Sequence, residues 1–260
     1  MIKSLSNPNI LADPNILALE ASGGLLSAAL HKEGQIVSLI SHDMTHGHAK
    51  DIVPTAMAAL QQAGCDFETV THIAAGAGPG SFTGIRVALA CAKGFCLSHG
   101  AKGIGVSGLQ ALASDAAQQG RNESARMLIT ADTRRGALYC QFFDKDGQAT
   151  GAIFEAKPDA LPDFYASNSD ISQDDAPLYI GGFDHARLAD IFAAQGVRVI
   201  APDAVMPLDA AMIAIDAKRQ IMTGTLTPLT PLYLAAAKLG PPKKDPAGKN
   251  KAKVTPVAQG

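Results

Sequence analysis

Two stretches of the chain repeat one order of apolar runs and tight turns. The first, NILALEASGGLLSAALHKEGQIV, begins at Asn15, and the second, RMLITADTRRGALYCQFFDKDGQ, begins at Arg126. In each, an apolar run ends at an acidic residue, Glu20 or Asp132, and a turn, a second apolar run and a charged glycine turn follow. Period-two alternation with glycine turns is typical of β-hairpins. The repetition predicts two duplicated α/β lobes, with chance similarity of two hairpins as the alternative.

Each hairpin is followed by a helical pattern and a short strand that stops at glycines. In the first lobe we expect a helix over 49–63, which Pro54 either kinks or starts late, and a strand over 71–75. In the second lobe a strand over 178–180 precedes two glycines and a helix that ends at Gly196. This alternation predicts mostly parallel sheets covered by helices.

The same pattern divides the chain of 260 residues, whose 47% of hydrophobic residues can fill a sizeable core. We expect an extension over 1–14, an N-terminal lobe over 15–113, a C-terminal lobe over 114–208, a helix over 209–222 that could complete the first lobe, and a tail over 236–260. The tail combines Pro, Gly and Lys without apolar periodicity, which predicts disorder. Its lysines favour a solubilising role, with contact to RNA phosphates as the alternative.

Charge and cysteine content indicate a protein of the reducing cytoplasm. The net charge of −2 offers no global attraction for nucleic acid, so any contact with RNA would be local or made by a partner. No apolar run is long enough to span a membrane, and the N-terminus is too polar for a signal sequence. The cysteines lack metal-ligand spacing and are interpreted as small apolar residues: Cys65, Cys91, Cys96 and Cys140.

The stretch AAGAGPGSFTGIRVALACAKGFC, from Ala74 to Cys96, is rich in glycine without being a known phosphate loop. No Lys-Ser or Lys-Thr pair follows its glycines, as a Walker loop would require. The dinucleotide fingerprint fails as well, because Ser81 and Thr83 stand where its third glycine would be. The sequence therefore predicts no cofactor at this loop.

The residues after the loop form an unusually apolar helix. It begins at Phe82, with Ser81 as its N-cap, and its charged residues are Arg86 and Lys93. A helix that is apolar around most of its circumference is buried on more than one side. It is either a core helix or a helix packed on its own lobe with one face and on a partner with the other. Its small residues would admit a second helix: Ala88, Ala90, Ala92 and Gly94.

At these residues the chain resembles the TsaB (YeaZ) family. GPGSFTGIRVALACAKG matches the family's signature, although its catalytic paralogue TsaD carries a related version. ILALEASGGLLSAAL and ADTRRGALYCQFFD resemble its two hairpins, and HAKDIVP, GVSGLQALA and PLYL resemble its other segments. The resemblance spans Asn15 to Leu234.

The resemblance implies the actin, Hsp70 and sugar-kinase (ASKHA) fold, with two duplicated lobes that each hold a mixed sheet and flanking helices. It also implies a non-catalytic subunit that binds and activates TsaD, which transfers a threonylcarbamoyl group to adenosine 37 of tRNA. The ATPase TsaE joins that assembly, and tRNA is met only indirectly. Homodimerisation through the same helices is a further possibility when the partner is absent.

The resemblance also implies which residues carry the function. The partner interface is expected on the helices of the N-terminal lobe, at His48, Ile52, Met57, Leu60, Phe82, Arg86, Ala88, Leu89, Ala92 and Lys93. The structural glycine loop is expected at Gly78, Gly80, Ser81 and Gly84.

Catalysis by this chain is not expected. The two histidines of the paralogue's metal-binding HxxxH motif correspond to Gly108 and Leu112, which cannot ligate a metal. Glu20 replaces the family's usual aspartate before the first hairpin turn, and Arg134 and Arg135 crowd the second. Arginines can also bind phosphate, so a small-molecule kinase or ATPase that uses the cleft between the lobes is the alternative.

Other candidate sites are weaker. His42, His46 and His48 could hold a metal, but no further ligand is fixed nearby except an aspartate, and His48 matches a histidine of the family's first helix. Ser81 lacks the G-x-S-x-G elbow of a hydrolase nucleophile, so a protease is not supported. Ala235 stands where the family usually has arginine, so this chain departs from the family's C-terminal pattern at that position.

Overall fold

The structure is a computed structural model that describes residues 13–43, 48–123, 125–167, 176–232 and 234. The predictions for the N-terminal extension before Asp13, for His46, for Ala235 and for the tail over 236–260 lie outside the described residues.

The first lobe is built on a five-stranded sheet in the order β3-β2-β1-β4-β5. The strands β1, β2 and β3 are antiparallel neighbours, and β1, β4 and β5 are parallel neighbours. The bounds are β1 Ile16–Glu20, β2 Leu25–Lys32, β3 Gln35–Asp43, β4 His72–Gly78 and β5 Lys102–Ser107.

The second lobe repeats this topology strand for strand. Its order is β8-β7-β6-β9-β10, with the same parallel and antiparallel pairs. The predicted duplication is therefore confirmed. The expectation of mostly parallel sheets is wrong, because each hairpin adds two antiparallel pairings, and strands joined by a tight turn cannot be parallel. The bounds are β6 Arg126–Asp132, β7 Leu138–Phe143, β8 Phe154–Ala156, β9 Leu178–Gly182 and β10 Val199–Ile200.

The helices lie close to their predicted positions. The predicted helix over 49–63 is α1, and Pro54 lies inside it without ending it. The helix expected from Phe82 is α2, which ends before Gly100 in the left-handed conformation. The bounds are α1 His48–Gln62, α2 Phe82–His99, α3 Gly108–Gln118, α4 Leu161–Ala166, α5 His185–Ala194 and α6 Ala210–Thr223.

Helices cover both faces of the first sheet, as the burial of β1 requires. Leu17 and Leu19 pack in one core with α1 and α2, whereas Ile16 and Ala18 pack in a second core with α6. All of β1 is buried, as is usual for a strand between two helical layers. None of the described helices is long and apolar enough to cross a membrane.

Helix α3 joins the two lobes. Leu109 packs in a core with Met127 and Phe143 of the second sheet, while Ala111 on the opposite side packs against α6. The side-chain amide of Gln110 donates to the carbonyl oxygen of Gly147 in the second lobe across 2.6 Å. Because α3 is held from both sides, it fixes the walls of the cleft between the lobes.

The segment after α6 forms a strap along the outer edge of the first sheet. Gly105 in β5 donates its N–H to the carbonyl oxygen of Thr227 across 2.8 Å, and Leu232 donates to Ala77 across 2.9 Å. Leu229 is buried in the core beneath α1 and α2. The strap therefore pairs with an edge strand that would otherwise expose its backbone.

Candidate functional site

The glycine loop connects β4 to α2 and ends in an N-cap. The Ser81 hydroxyl oxygen accepts a hydrogen bond from the backbone N–H of Gly84 across 3.3 Å, which confirms the predicted cap and gives this serine a structural role. Gly78 and Gly80 have φ angles of +97° and +157°, conformations that side chains disfavour. The loop thus requires glycine for its backbone path.

The loop packs directly on the first hairpin turn, residues 21–24. Ser81 donates its N–H to the carbonyl oxygen of Ser22 across 2.7 Å. A Cβ on Gly80 would lie 2.5 Å from the same oxygen, and a Cβ on Gly84 would overlap the carbonyl oxygen of Ala21. These glycines therefore serve close packing between backbones, and the loop fixes the start of α2 on the sheet.

Glu20 is buried under this turn without a charged partner among its described contacts. Its Oε1 atom accepts hydrogen bonds from both the backbone N–H and the hydroxyl of Ser22. Its Oε2 atom faces Gly76 and has no hydrogen-bond partner within the described part of the chain. Burial raises the pKa of Glu20, and the hydrogen bonds from Ser22 and the neighbouring amides oppose that rise.

A cleft of about 380 Å³ separates the lobes at the two hairpin turns. Gly23 and Gly24 line it from the first lobe, and Asp132 and Arg134 line it from the second. Most of its other lining residues are apolar, including the half-exposed Phe183. The cleft is therefore lined mainly by apolar side chains, with the charged residues Asp132 and Arg134 on its second-lobe side.

The residues that replace the paralogue's histidines also lie at the cleft. Gly108 begins α3 and packs against Leu208, and Leu112 lies one turn further along the helix. Among the described residues, no group of three or more His, Cys, Asp or Glu side chains could hold a metal. His42 is described, whereas the side chain of His48 is not.

The second hairpin turn is held by its own side chains. Asp132 accepts a hydrogen bond from the backbone N–H of Arg134 across 2.6 Å. The Arg135 guanidinium donates to Tyr139 and, across 2.9 Å, to Glu155. Of the two arginines, Arg134 lines the cleft, and Arg135 is tied to β7 and β8.

Cys91 and Cys140 behave as the apolar residues that the sequence predicts. Cys140 is fully buried, and burial raises the pKa of its thiol to about 12. Burial raises the pKa of the Cys91 thiol to about 11. Neither thiol is ionised to a useful extent near neutral pH, so neither is a candidate nucleophile.

Helices α1 and α2 present an exposed surface, the outer helix face. On α2 it follows a single stripe at helical spacing, and on α1 it follows the exposed side of the helix. Arg86 stacks over the Phe82 ring, with 3.5 Å between the guanidinium carbon and the ring centroid. The outer helix face consists of Lys50, Val53 and Met57 from α1 and Phe82, Arg86, Ala90, Lys93, Gly94 and Leu97 from α2.

Half of the predicted interface residues are not on this face. Met57, Phe82, Arg86 and Lys93 are exposed and belong to it. The remaining described residues are buried in the core of their own lobe, so the prediction that they contact a partner is wrong for Ile52, Leu60, Ala88, Leu89 and Ala92. Ala88 and Ala92 face inward because the small side chains let α2 lie close to its own sheet, not because they admit a partner.

Several members of the outer helix face are not among the predicted interface residues. Leu97 is 88% exposed, and Val53 on α1 is 45% exposed. A stripe through Arg86, Ala90, Lys93 and Leu97 recurs at three- and four-residue intervals, and this spacing places the residues on one helix face without showing which side of the helix packs on the lobe. Helix α2 contains no acidic residue, so the outer helix face is apolar and basic.

The duplicated sheets define the class of protein. Two lobes of identical strand order, with helices on the faces and a cleft between the hairpin turns, form a two-lobed α/β protein of the actin, Hsp70 and sugar-kinase (ASKHA) type. The solved structure of YeaZ from Pseudomonas aeruginosa has this fold. It superimposes with a TM-score of 0.70 at 24% identity, covering 85% of this chain and 100% of that one.

Sequence comparisons give the family. The profile described as TsaD, tRNA N6-adenosine threonylcarbamoyltransferase, matches residues 39–170, which is just over half of the chain. A protein of Escherichia coli named tRNA threonylcarbamoyladenosine biosynthesis protein TsaB is 30% identical over 146 residues. The chain belongs to the TsaD family, in its TsaB (YeaZ) branch.

The similarity to these relatives covers only part of each chain. The match to the Escherichia coli protein spans 54% of this chain and 62% of that protein. A Haemophilus influenzae protein of the same name is 32% identical over 124 residues, which is 48% of this chain and 51% of its own length. The matched profile includes all of α1 and α2, and therefore the outer helix face.

Proposed function

We propose that this protein is a cytoplasmic, non-catalytic subunit that activates a TsaD-like catalytic subunit in the synthesis of N6-threonylcarbamoyladenosine in tRNA. It binds that subunit through the outer helix face and meets tRNA only through the assembly. A TsaE-like ATPase is the third component. The observation that carries the proposal is the outer helix face itself.

The outer helix face has the character of a docking surface. Met57 is 51% exposed and Phe82 is 44% exposed, on helices whose opposite sides are fully buried. Exposed apolar side chains that lie along one face of two neighbouring helices favour a protein partner. The basic residues Lys50, Arg86 and Lys93 lie among these apolar groups, which favours a partner whose matching helices combine apolar and acidic residues.

The cleft supports a non-catalytic role. Gly108 and Leu112 offer no metal ligand where the paralogue has histidines. The carboxyl of Glu20 is buried and bonded to Ser22, so it is not presented to a ligand in the cleft. These features disfavour the alternative, a small-molecule kinase or ATPase, for which tight binding and turnover of Mg-ATP by the isolated protein would be the evidence.

The proposal is tested by reconstitution. Unmodified tRNA is incubated with the cognate catalytic subunit, the ATPase subunit, threonylcarbamoyl-adenylate and ATP, with and without this protein. We expect modification to depend on the added protein. Equal modification in both mixtures would contradict an activating role.

Charge reversal within the outer helix face links activity to binding. The double variant Met57→Asp, Arg86→Glu should bind the catalytic subunit at least about a hundredfold more weakly, since truncations at interface centres typically cost 2 kcal/mol or more. Lys157→Glu, an exposed change on the second lobe, is the matched control and should leave binding and activation unchanged. Circular dichroism confirms that each variant is folded. Wild-type affinity of a folded double variant would remove this face from the interface.

A further inference from the structure

The cleft between the lobes exposes large apolar side chains that the fold does not cover. Leu109 and Leu112 of α3 line it on one side, and the segment 205–208 lines it on another. Phe183, from the second lobe, is 47% exposed, and Val205 is 61% exposed. A cavity of a few hundred Å³ with mostly apolar walls and few polar groups is typical of a site for a small molecule. The cleft, at about 380 Å³, has this size and this lining.

The apolar wall at 205–208 is held near both of its ends. One ring nitrogen of the buried His185 lies 3.2 Å from the carbonyl oxygen of Gly182, and the other lies 3.0 Å from that of Pro202. Beyond the wall, the side chain of Asp209 caps the first turn of α6. A wall that is already in place loses little conformational freedom when a ligand binds.

Phe183 presents its ring to the cleft from a backbone that Thr130 holds. The N–H of Phe183 donates to the carbonyl oxygen of Thr130 across 3.0 Å, and the carbonyl oxygen of Phe183 accepts from the Thr130 hydroxyl across 2.5 Å. The half-exposed ring lines the cleft on this fixed backbone. Burial of such a ring by an apolar ligand is favourable because the aromatic surface leaves water.

Arg134 supplies a cation at the same cleft. Its φ angle of +57° lies in the left-handed region, which arginine rarely adopts, and strained residues of this kind cluster at binding sites. Within the described part of the chain its guanidinium makes no ion pair or hydrogen bond, whereas that of Arg135 pairs with Glu155. An unpaired guanidinium beside an apolar cleft is complementary to a carboxylate.

We propose that the cleft binds a small monocarboxylic acid with an apolar body, such as a medium-chain fatty acid. The carboxylate accepts hydrogen bonds from the Arg134 guanidinium, and the apolar body packs against Phe183 and the wall at 205–208. Asp132 also lines the cleft and opposes anions of higher charge, so the ligand carries a single negative charge. This inference goes beyond the partner-binding function and does not depend on it.

The experiment compares three probes of one chain length by calorimetry: octanoate, octanol and octylamine. Each is used below the concentration at which it self-associates. We expect the wild type to bind octanoate at least about tenfold more tightly than octanol, because hydrogen bonds to charged groups are the stronger ones. Octylamine should bind more weakly than octanoate, since its ammonium would face Arg134. Failure to bind octanoate, or binding of either other probe as tightly as octanoate, would overturn the proposal.

Two variants separate the head group from the apolar body. Arg134→Asn removes the cation and keeps a residue that tolerates the left-handed conformation, so octanoate should bind no more tightly than octanol. Phe183→Ser should weaken octanoate and octanol alike, by at least about fivefold, because apolar contact is lost. Circular dichroism confirms that each variant is folded. Wild-type binding of octanoate by both folded variants would overturn the proposal.

Leu97→Ser controls for binding to exposed apolar surface outside the cleft. Leu97 is 88% exposed and belongs to the outer helix face, so this variant should bind octanoate as the wild type does. If it loses binding, the outer helix face holds the acid and the proposal fails. Should Phe183→Ser not fold, Val205→Glu replaces it, since a negative charge on the wall should weaken octanoate more than octanol.

Discussion

Ser81 donates its backbone N–H to the carbonyl oxygen of Ser22 across 2.7 Å, and this bond joins the glycine loop to the first hairpin turn. The loop therefore positions α2 on the sheet, where a phosphate loop of similar composition would hold a ligand. Because α2 carries most of the outer helix face, the packing of Gly80 and Gly84 on the turn sets the orientation of the proposed interface.

Two glycines of α2 predict opposite effects of the same substitution. A Cβ on Gly84 would overlap the backbone of Ala21, whereas a Cβ on Gly94 would meet nothing within 4 Å among the described residues. Gly84→Ala should destabilise the fold by about 1–3 kcal/mol through overpacking. Gly94→Ala should stabilise it by about 0.5–1 kcal/mol, since alanine is the better helix former. Urea denaturation measures both, and equal effects would contradict the packing role of the loop.

The strap after α6 predicts a second matched pair. Leu229 is buried in the core under α1 and α2, and its neighbour Leu226 is 49% exposed. Leu229→Ala should lower the free energy of unfolding by about 2–5 kcal/mol, because it leaves a cavity beneath the helices. Leu226→Ala should change it by less than about 0.5 kcal/mol. A small effect at Leu229 would mean that the strap adds little to the first lobe.

The duplicated hairpins were predictable because local signals determine them. Two features stand at corresponding positions in the two lobes: the acidic residue that ends the first strand, Glu20 or Asp132, and the glycine turn that follows the second strand. Tight turns then enforce the antiparallel pairs. Helix α1 was predicted to within one residue at each end from its apolar spacing. The parallel pairings of β4 and β9 depend on long crossover connections. No local turn signal predicts them, and only the alternation of strands and helices along the chain indicated them.

The burial of α2 was not predictable from its own sequence. An apolar circumference says that a helix is buried on several sides, but it does not say which side faces the lobe. Ala88 and Ala92 were expected to face a partner, yet they pack beneath α2 at 0% exposure. The exposed stripe is the less apolar one, through Arg86 and Lys93, and only the tertiary position of β4 and α1 selects it.

The buried carboxyl of Glu20 predicts a pH-dependent stability. Burial raises the pKa of Glu20 in the folded protein, opposed by hydrogen bonds from Ser22. The carboxyl is protonated in both states at low pH, and the unfolded chain ionises first as the pH rises. Ionisation therefore favours unfolding above the ordinary pKa of glutamate, and the stability present below that pKa is lost as the pH approaches the raised value.

Glu20→Gln removes the ionisable carboxyl, and with it this pH dependence of stability, while keeping an acceptor oxygen. The free energy of unfolding of the variant minus that of the wild type should be larger at pH 8 than at about pH 4. Denaturation in urea at several pH values, with the free energies compared pairwise, measures the difference. A constant difference across that range would show that the pKa of Glu20 is the same in the folded and unfolded states.

The exposed apolar groups of the outer helix face predict self-association when no partner is present. Leu97 is 88% exposed on α2, and Met222, on α6 and away from that face, is 68% exposed. In a symmetric contact between two copies, the same residue of each copy lies near its counterpart. Leu97→Lys would therefore bring two desolvated, like charges together and should abolish association. Met222→Lys adds the same charge at a comparably exposed site and should sediment as the wild type does.

Sedimentation velocity at two protein concentrations measures this association, and the sedimentation coefficient of the wild type is expected to rise with concentration. If Leu97→Lys and Met222→Lys behave alike, the outer helix face is not the surface through which copies of this chain associate.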